Sequence, residues 1–433
     1  MRGRGSRSRA WGASLLVGLG ALLAAQEGRQ ELRREYGEAV AAHERKDTAA
    51  FLAHSRRVAQ LAPRSTLALY NLACAHALTG GREEALRLLD RIASMGAIMD
   101  ASADPDFAAI KEAPEFGEIV RKTEALRTAI GRSAVAFTLA EKDLIAEGVA
   151  HDPRTGSFFV SSVRHRKVVR ISREGQVSEF IPEGRDGLFA AVALAVNPAR
   201  NVLWASTAAE PAMAGYRKED EGRSFLLEYD LSSARLLRRM GPPASAPDGQ
   251  LSDLTIGPNG ALYVADPVSG RLYVLDPGHR ELRVLVEPGP LASPQGLACS
   301  PDGRWVFVAD YTQGLFRVDP RGGAPALLDA PPDSLLTGVD GLVYHDGTLV
   351  GIQNGVRPHR VLRARLSPDA ARITDVSTLE RGNPHFDEPT LGVVVGTDLY
   401  YVANSQYGAL RADGTLETER LREPVILRLP LAP

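Results

Sequence analysis

A strand–turn–strand unit recurs through most of this chain. Its clearest copy runs from Ser293 to Pro320, SPQGLACSPDGRWVFVADYTQGLFRVDP: an apolar strand, a Pro-Asp-Gly turn, a second apolar strand, a short loop and a third strand. The same plan returns at Ser252–Pro277 and at Glu147–Ser172. One such unit cannot bury both faces of its own sheet. Copies spaced by about 40–50 residues therefore pack on one another, as in a propeller or array. Six units can be read, opening at Glu147, Ala191, Ser252, Gln295, Asp340 and near Asp387. The sixth has a late strand, Val425–Leu431, but no outermost one, while an orphan strand, Ala134–Leu139, stands ahead of the first unit. Pairing the orphan into the sixth unit closes the ring and removes an exposed sheet edge.

Ahead of the repeats, Gln30 to Leu126 has a helical apolar period. Turns at Lys46–Asp47 and Gly80–Gly81 lie 34 positions apart, and NLACAHALTGGREEALRLL resembles a tetratricopeptide repeat. Asp104-Pro105-Asp106 reads as a helix start and Phe107–Leu126 as a closing helix. Such pairs of helices usually bind a peptide or partner protein; the competing role is a spacer or lid for the larger domain. The expected fold is mainly β: a six-bladed β-propeller over 133–433, preceded by a small all-α helical-repeat domain over 30–130.

Composition narrows the function. The formal charge of −2 over 433 residues, with no basic block beyond the first ten, excludes a nucleic-acid footprint. Residues 1–25 join Arg2, Arg4, Arg7 and Arg9 to an apolar run, Ala13–Ala25, the pattern of a secretory signal. The expected location is periplasmic or extracellular, with membrane attachment only if that segment stays uncleaved. The two cysteines, Cys74 and Cys299, fall in different units and read as small buried hydrophobes. They lack the Cys-x-x-Cys spacing of a zinc site.

The inner strand of each blade lines the central channel, so residues at one repeat position form a ring. Alignment on the turns puts Glu147, Val192, Ser252, Gln295 and Asp340 at one station, with Glu388 or Thr390 nearest in the sixth unit. Converging carboxylates raise one another's pKa unless a cation or proton compensates. Oxygen donors suit a hard divalent ion, calcium or magnesium, and not zinc. The alternative is that Glu147 and Asp340 cap turns in a wet channel. Asn354, Asn404 and Gln406, with Asp310 and Tyr311, lie where a polar substrate could be bound, yet asparagine and aspartate also favour loops for backbone reasons. His345, His359 and His385 lack ligand spacing and read as surface or packing residues. No G-x-S-x-G elbow or Walker pattern occurs. The polar insertion Pro211–Arg223 of the second blade could border the channel mouth as a lid, but reads better as a plain solvated loop.

Glu147-Gly148, Gln295-Gly296 and Asp340-Gly341, each leading an apolar strand, resemble the senescence marker protein/gluconolactonase/luciferin-regenerating family, and more broadly the NHL and strictosidine-synthase-like propellers. The resemblance covers about 133–433. It implies a divalent cation, most often calcium, held by Glu147, Gln295 and Asp340, with Asp340 also the base that activates water on a lactone or ester. Two positions depart from the family pattern: Gln295 stands for asparagine, and Ser252 replaces the asparagine that faces metal and substrate, with Asp253 beside it as a partial substitute. The expectation is an exported metal-dependent hydrolase of a lactone, ester or similar small molecule. The substrate-binding candidates are Ser252, Asp253, Asp310, Asn354 and Asn404. The competing class is a non-catalytic propeller that binds a ligand or protein, with the helical repeats recruiting a partner.

Overall fold

Alternating apolar strands joined by tight turns build six four-stranded antiparallel sheets, and the sheets close into a ring. The computed structural model describes residues 30–411 and 414–432, so the proposed signal segment lies outside the described residues. The inner strands are Ala146–Asp152, Ala190–Asn197, Leu254–Ile256, Pro294–Cys299, Val339–His345 and Gly392–Val395 for blades one to six. Each touches the inner strand of the next blade, and blade six touches blade one. Ring closure follows the strand count. Ala134–Thr138 pairs antiparallel with Val425–Pro430 and completes the sixth sheet. Phe137 packs on Phe158 of blade one at 5.4 Å between ring centres, and Phe158 on Tyr400 of blade six at 4.8 Å. Such pairs contribute about 0.5–1.5 kcal/mol each beyond their buried area, so the seam between first and last blade is held by side chains as well as by the ladder.

The cores lie between blades. Phe159, Leu203 and Tyr229 fill the space between blades one and two, and Phe307, Leu342 and Leu349 that between four and five. Trp204 is buried in such a layer, with the Arg238 guanidinium 5.1 Å above its ring.

The helical unit has α1 (30–44), α2 (Thr48–Leu61), α3 (Thr66–Leu78), α4 (Arg82–Ser94) and α5 (Pro114–Ala125). Asp47 and Ser65 cap α2 and α3 through side-chain oxygens, which places the boundaries at the expected turns. The closing helix is shorter than the pattern suggests. Asp104 caps only a 3₁₀ turn, Pro105–Phe107, and the helix restarts at Pro114. Proline lacks the N–H that a helix interior needs but suits its first turn. Cys74 is buried, Cys299 is half-buried, and both thiols are free.

The helical unit packs onto blades four and five. Leu335 and Val356 of the propeller belong to its apolar core. The Ile98 N–H donates to Arg357 O at 2.7 Å, and the buried Arg360 guanidinium donates to the carbonyls of Met95 (3.3 Å) and Gly96 (3.2 Å).

Candidate active site

The inner strands share one local irregularity, and it places the candidate residues. In blades one, four and five the ladder to the second strand is interrupted at 147–148, 295–296 and 340–341. Blade two is interrupted at 192–193. In blade three, Ser252 N–H donates to Ala265 O and Ala265 N–H to Asp253 O, so two residues oppose one. Thr390 and Leu391 oppose Val402 in the same way in blade six. A bulge adds a residue, bends the strand and re-aims a side chain. Six bulges at one level confirm the sequence alignment of Glu147, Val192, Ser252, Gln295 and Asp340, and they identify Thr390 as the sixth member.

The glycine after each ligand candidate has a packing cause. A Cβ at Gly148 would lie 2.6 Å from Val192 O, and one at Gly296 would lie 2.3 Å from Asp340 O. The bulge of the next blade presses its backbone into that space, so any side chain there would force the blades apart.

Glu147, Asp253 and Asp340 form the centre of the ring. Glu147 and Asp253 are buried, and Glu147 Oε2 and Asp253 Oδ2 have no hydrogen-bond partner. Burial, then Asp340, Asp253, Glu210 and Glu388, push the Glu147 carboxyl well above its ordinary range. Burial and Asp340 do the same to Asp253. Asp340 is half-buried and keeps some accessible surface. Burial raises it to about 6, a hydrogen bond from Asn354 pulls it down, and Glu388 adds to the rise. Asn354 Nδ2 donates to Asp340 Oδ2 at 2.6 Å, and Asn354 Oδ1 accepts from Tyr311 OH at 3.0 Å. One oxygen of Asp340 is thus fixed by a tyrosine–asparagine relay.

Two further groups belong to the mouth and escaped the repeat alignment. Glu210 follows the second strand of blade two; burial pushes it up to about 7, against a hydrogen bond from Tyr407 OH at 3.4 Å. Tyr407, from the last loop of blade six, is pushed far up by burial, Glu210 and Glu147. Glu388 sits two residues before the Thr390 station with φ +59°, and its Oε2 accepts from Gly408 N–H at 2.7 Å. The signal for Glu210 was its place at the end of a second strand, where Asp310 and Asn404 also stand.

Other candidates take different work. Asp310 is fully buried and accepts backbone N–H groups from Ala292 (2.6 Å), Ser293 (3.0 Å) and Thr312 (3.1 Å). Both its oxygens organise blade-four loops, as loop chemistry anticipates. Asn404 accepts from Val425 N–H at 2.7 Å and donates to Glu423 O at 3.0 Å, so its amide pins two strands. Gln406 is held likewise by Arg422. Ser252 is half-buried at its bulge, and the neighbouring Asp253 supplies the acid on that side of the ring. His359 is buried beside Arg357, as a packing histidine should be.

The insertion Pro211–Arg223 is solvated over most of its length, but its start is not. Ala212 and Met213 are buried in one apolar cluster with Ala409 and Leu421 of blade six. Arg164 donates to Ala212 O (3.3 Å) and Gly414 O (3.4 Å). Apolar residues hidden in a polar-looking segment turned it into a roof over blade one.

Among the described residues, two triads bring ligand atoms within 4.8 Å of one another: Cys74–Asp104–Asp106 in the helical unit, and the more exposed Glu141–Asp143–His165. The ring carboxylates stand wider apart than these. Below them the channel opens into a cavity of about 500 Å³, bordered by Asp253 and otherwise mostly by apolar inner-strand residues.

No family model and no curated protein matches the chain. Among solved structures it is similar to a gluconolactonase from Xanthomonas campestris, 16% identical over 71% of this chain and 93% of that one, with a TM-score of 0.48. It is similar to a luciferin-regenerating enzyme, 14% identical over 70% and 95%, with a TM-score of 0.49. A calcium-binding protein, regucalcin, from Agrobacterium tumefaciens is 16% identical over 70% and 93%, with a TM-score of 0.47. Likeness at this level speaks to neither substrate nor ion. The propeller assignment stands on the chain's own six sheets.

Proposed function

We propose that this chain is a cation-dependent hydrolase of a lactone, ester or similar small molecule, exported from the cell. The supporting observation is the pair of buried carboxylate oxygens, Glu147 Oε2 and Asp253 Oδ2, left without partners beside Asp340. A buried, unanswered carboxylate is costly. Two of them beside Asp340 are compensated by a proton or by a hard cation, and an all-oxygen donor set suits calcium. Glu147, Gln295 and Asp340 would hold it, with Asp253 adding charge from the side where Ser252 offers only a hydroxyl. When bound, such a cation supplies Lewis acidity to a substrate carbonyl.

The remaining work falls to the chain's own groups. Asn354 fixes Asp340 Oδ2 and leaves Oδ1 to accept a proton from water. Tyr311 orients Asn354. The start of the 209–223 segment and the blade-six loop pack over Ile145, two residues before Glu147. The test is a panel of lactones and aryl esters assayed with calcium and with chelator. Cation-dependent turnover that disappears in Asp340→Asn supports the reading; turnover unchanged in that variant removes Asp340 from it.

The competing reading, a propeller that binds a ligand without turnover, is favoured by Ser252 and by the width of the ring. It predicts a calcium-dependent thermal shift with no hydrolysis of any substrate in the panel.

A further inference from the structure

The ring mouth is bounded unevenly. On one side lies the roof just described. On the other, the helical unit is locked to blade five through Ile98, Met95, Gly96 and the buried Arg360, and to the segment before blade five by an Arg91–Asp333 ion pair at 3.2 Å. Between the helices and the propeller a cleft of about 380 Å³ remains. Its propeller wall includes Asn354, which donates to Asp340, and Glu388, two residues before the Thr390 station; the cleft therefore adjoins the ring. Its helical wall is mostly apolar, with Leu67, Ala97, Ile98 and Met99 beside Thr66, while Arg357 and His359 face it from the propeller. Leu67, in the first turn of α3, is 46% exposed and borders this cleft together with Ile98 and Met99.

We infer that the helical unit is a wall of the substrate entrance, and that Leu67, Ile98 and Met99 form an apolar subsite for an alkyl or acyl substituent on the molecule whose carbonyl reaches the ring. This rests on the hydrolase reading only for the identity of the head group. A neutral carbonyl head with an aliphatic tail matches both ends, whereas a bare polyhydroxylated lactone leaves the apolar wall against water. The fixed docking of the helices, through a shared core and backbone hydrogen bonds, makes this wall preformed.

The test uses the full chain in 1 mM calcium and a series of γ-lactams with alkyl substituents from zero to eight carbons, which cannot be hydrolysed as the lactones can. Calorimetry should show affinity rising about two- to four-fold per methylene until the cleft is filled. Leu67→Asp should flatten that slope while leaving the unsubstituted lactam unchanged, and Met99→Lys should do the same. Leu237→Asp, at an exposed leucine on a blade-two strand, should leave the slope intact. Absence of lactam binding, affinity independent of chain length, or a slope that survives both Leu67→Asp and Met99→Lys would overturn the inference. A length-dependent slope without hydrolysis of the matching lactones removes the hydrolase reading and leaves the wall standing. Hydrolysis of lactones without any length dependence does the reverse.

Discussion

The chain holds two acidic clusters that differ in kind. In the helical unit, Cys74, Asp104 and Asp106 crowd their ligand atoms together. There the carboxylates are answered: Asp104 accepts from Tyr70 OH at 2.7 Å and from Asp106 N–H at 2.9 Å, and Asp106 Oδ2 lies 2.8 Å from His43 Nε2. Burial and the two aspartates push the Cys74 thiol well up, away from the thiolate a metal would require. In the propeller the carboxylates are less crowded, yet two oxygens are buried with nothing to answer them. Proximity of ligand atoms is therefore a poor mark of a site. Unanswered burial is the better one, because folding retains that cost only where something else compensates for it.

The largest test of this contrast is chemical. Asp340→Asn keeps the size and the Asn354 neighbour but cannot take a proton, so any lactone or ester turnover should fall by about 10²–10⁴-fold. Steady-state assay of both proteins measures this. Next comes the cation. Calcium at about 100 times its Kd should add about 2.7 kcal/mol to stability, read as a thermal shift against chelator. The shift should vanish in Glu147→Gln and persist in Asp104→Asn; the opposite result would exchange the roles of the two clusters.

In chelator the same two substitutions should move stability in opposite directions. Glu147→Gln removes a buried carboxyl without a full set of partners and should stabilise by about 1–3 kcal/mol. Asp104→Asn weakens a cap and a tyrosine hydrogen bond and should destabilise by about 1–2 kcal/mol. Denaturant titration of each variant decides the sign. The smallest effect extends the contrast to a base. His359 Nδ1 is buried without a partner at the edge of the cleft, and burial with the Arg357 charge lowers its pKa to about 4. The unfolded chain takes up a proton near pH 6.5 and the folded chain resists until about 4. Stability is thus complete above about 6.5 and declines as pH falls towards 4, by on the order of 1–2 kcal/mol. His359→Gln should flatten that segment of the pH–stability curve.

Much of the fold was legible because it is periodic. Turn chemistry and strand alternation gave six units, and the missing outer strand of the sixth pointed to Ala134–Thr138 as its closure. Glu147 and Asp340 could be brought together on paper because both occupy the same bulge. What escaped was aperiodic. Glu210 and Tyr407 sit in loops of different blades, and their meeting depends on how the 209–223 segment packs on the end of the chain. Asp310 and Asn404 carry attractive side chains, but only the surrounding backbone shows that their polar atoms are already engaged.

Sequence alone determined the repeat, the number of blades and the level at which acidic side chains enter the channel, since these follow from local spacing and turn residues. Tertiary structure decided which carboxylate oxygens stay unanswered, which loops roof the mouth and where the helices stand. Each of those depends on contacts between segments far apart in the chain, and no local pattern encodes whether a partner will be waiting there.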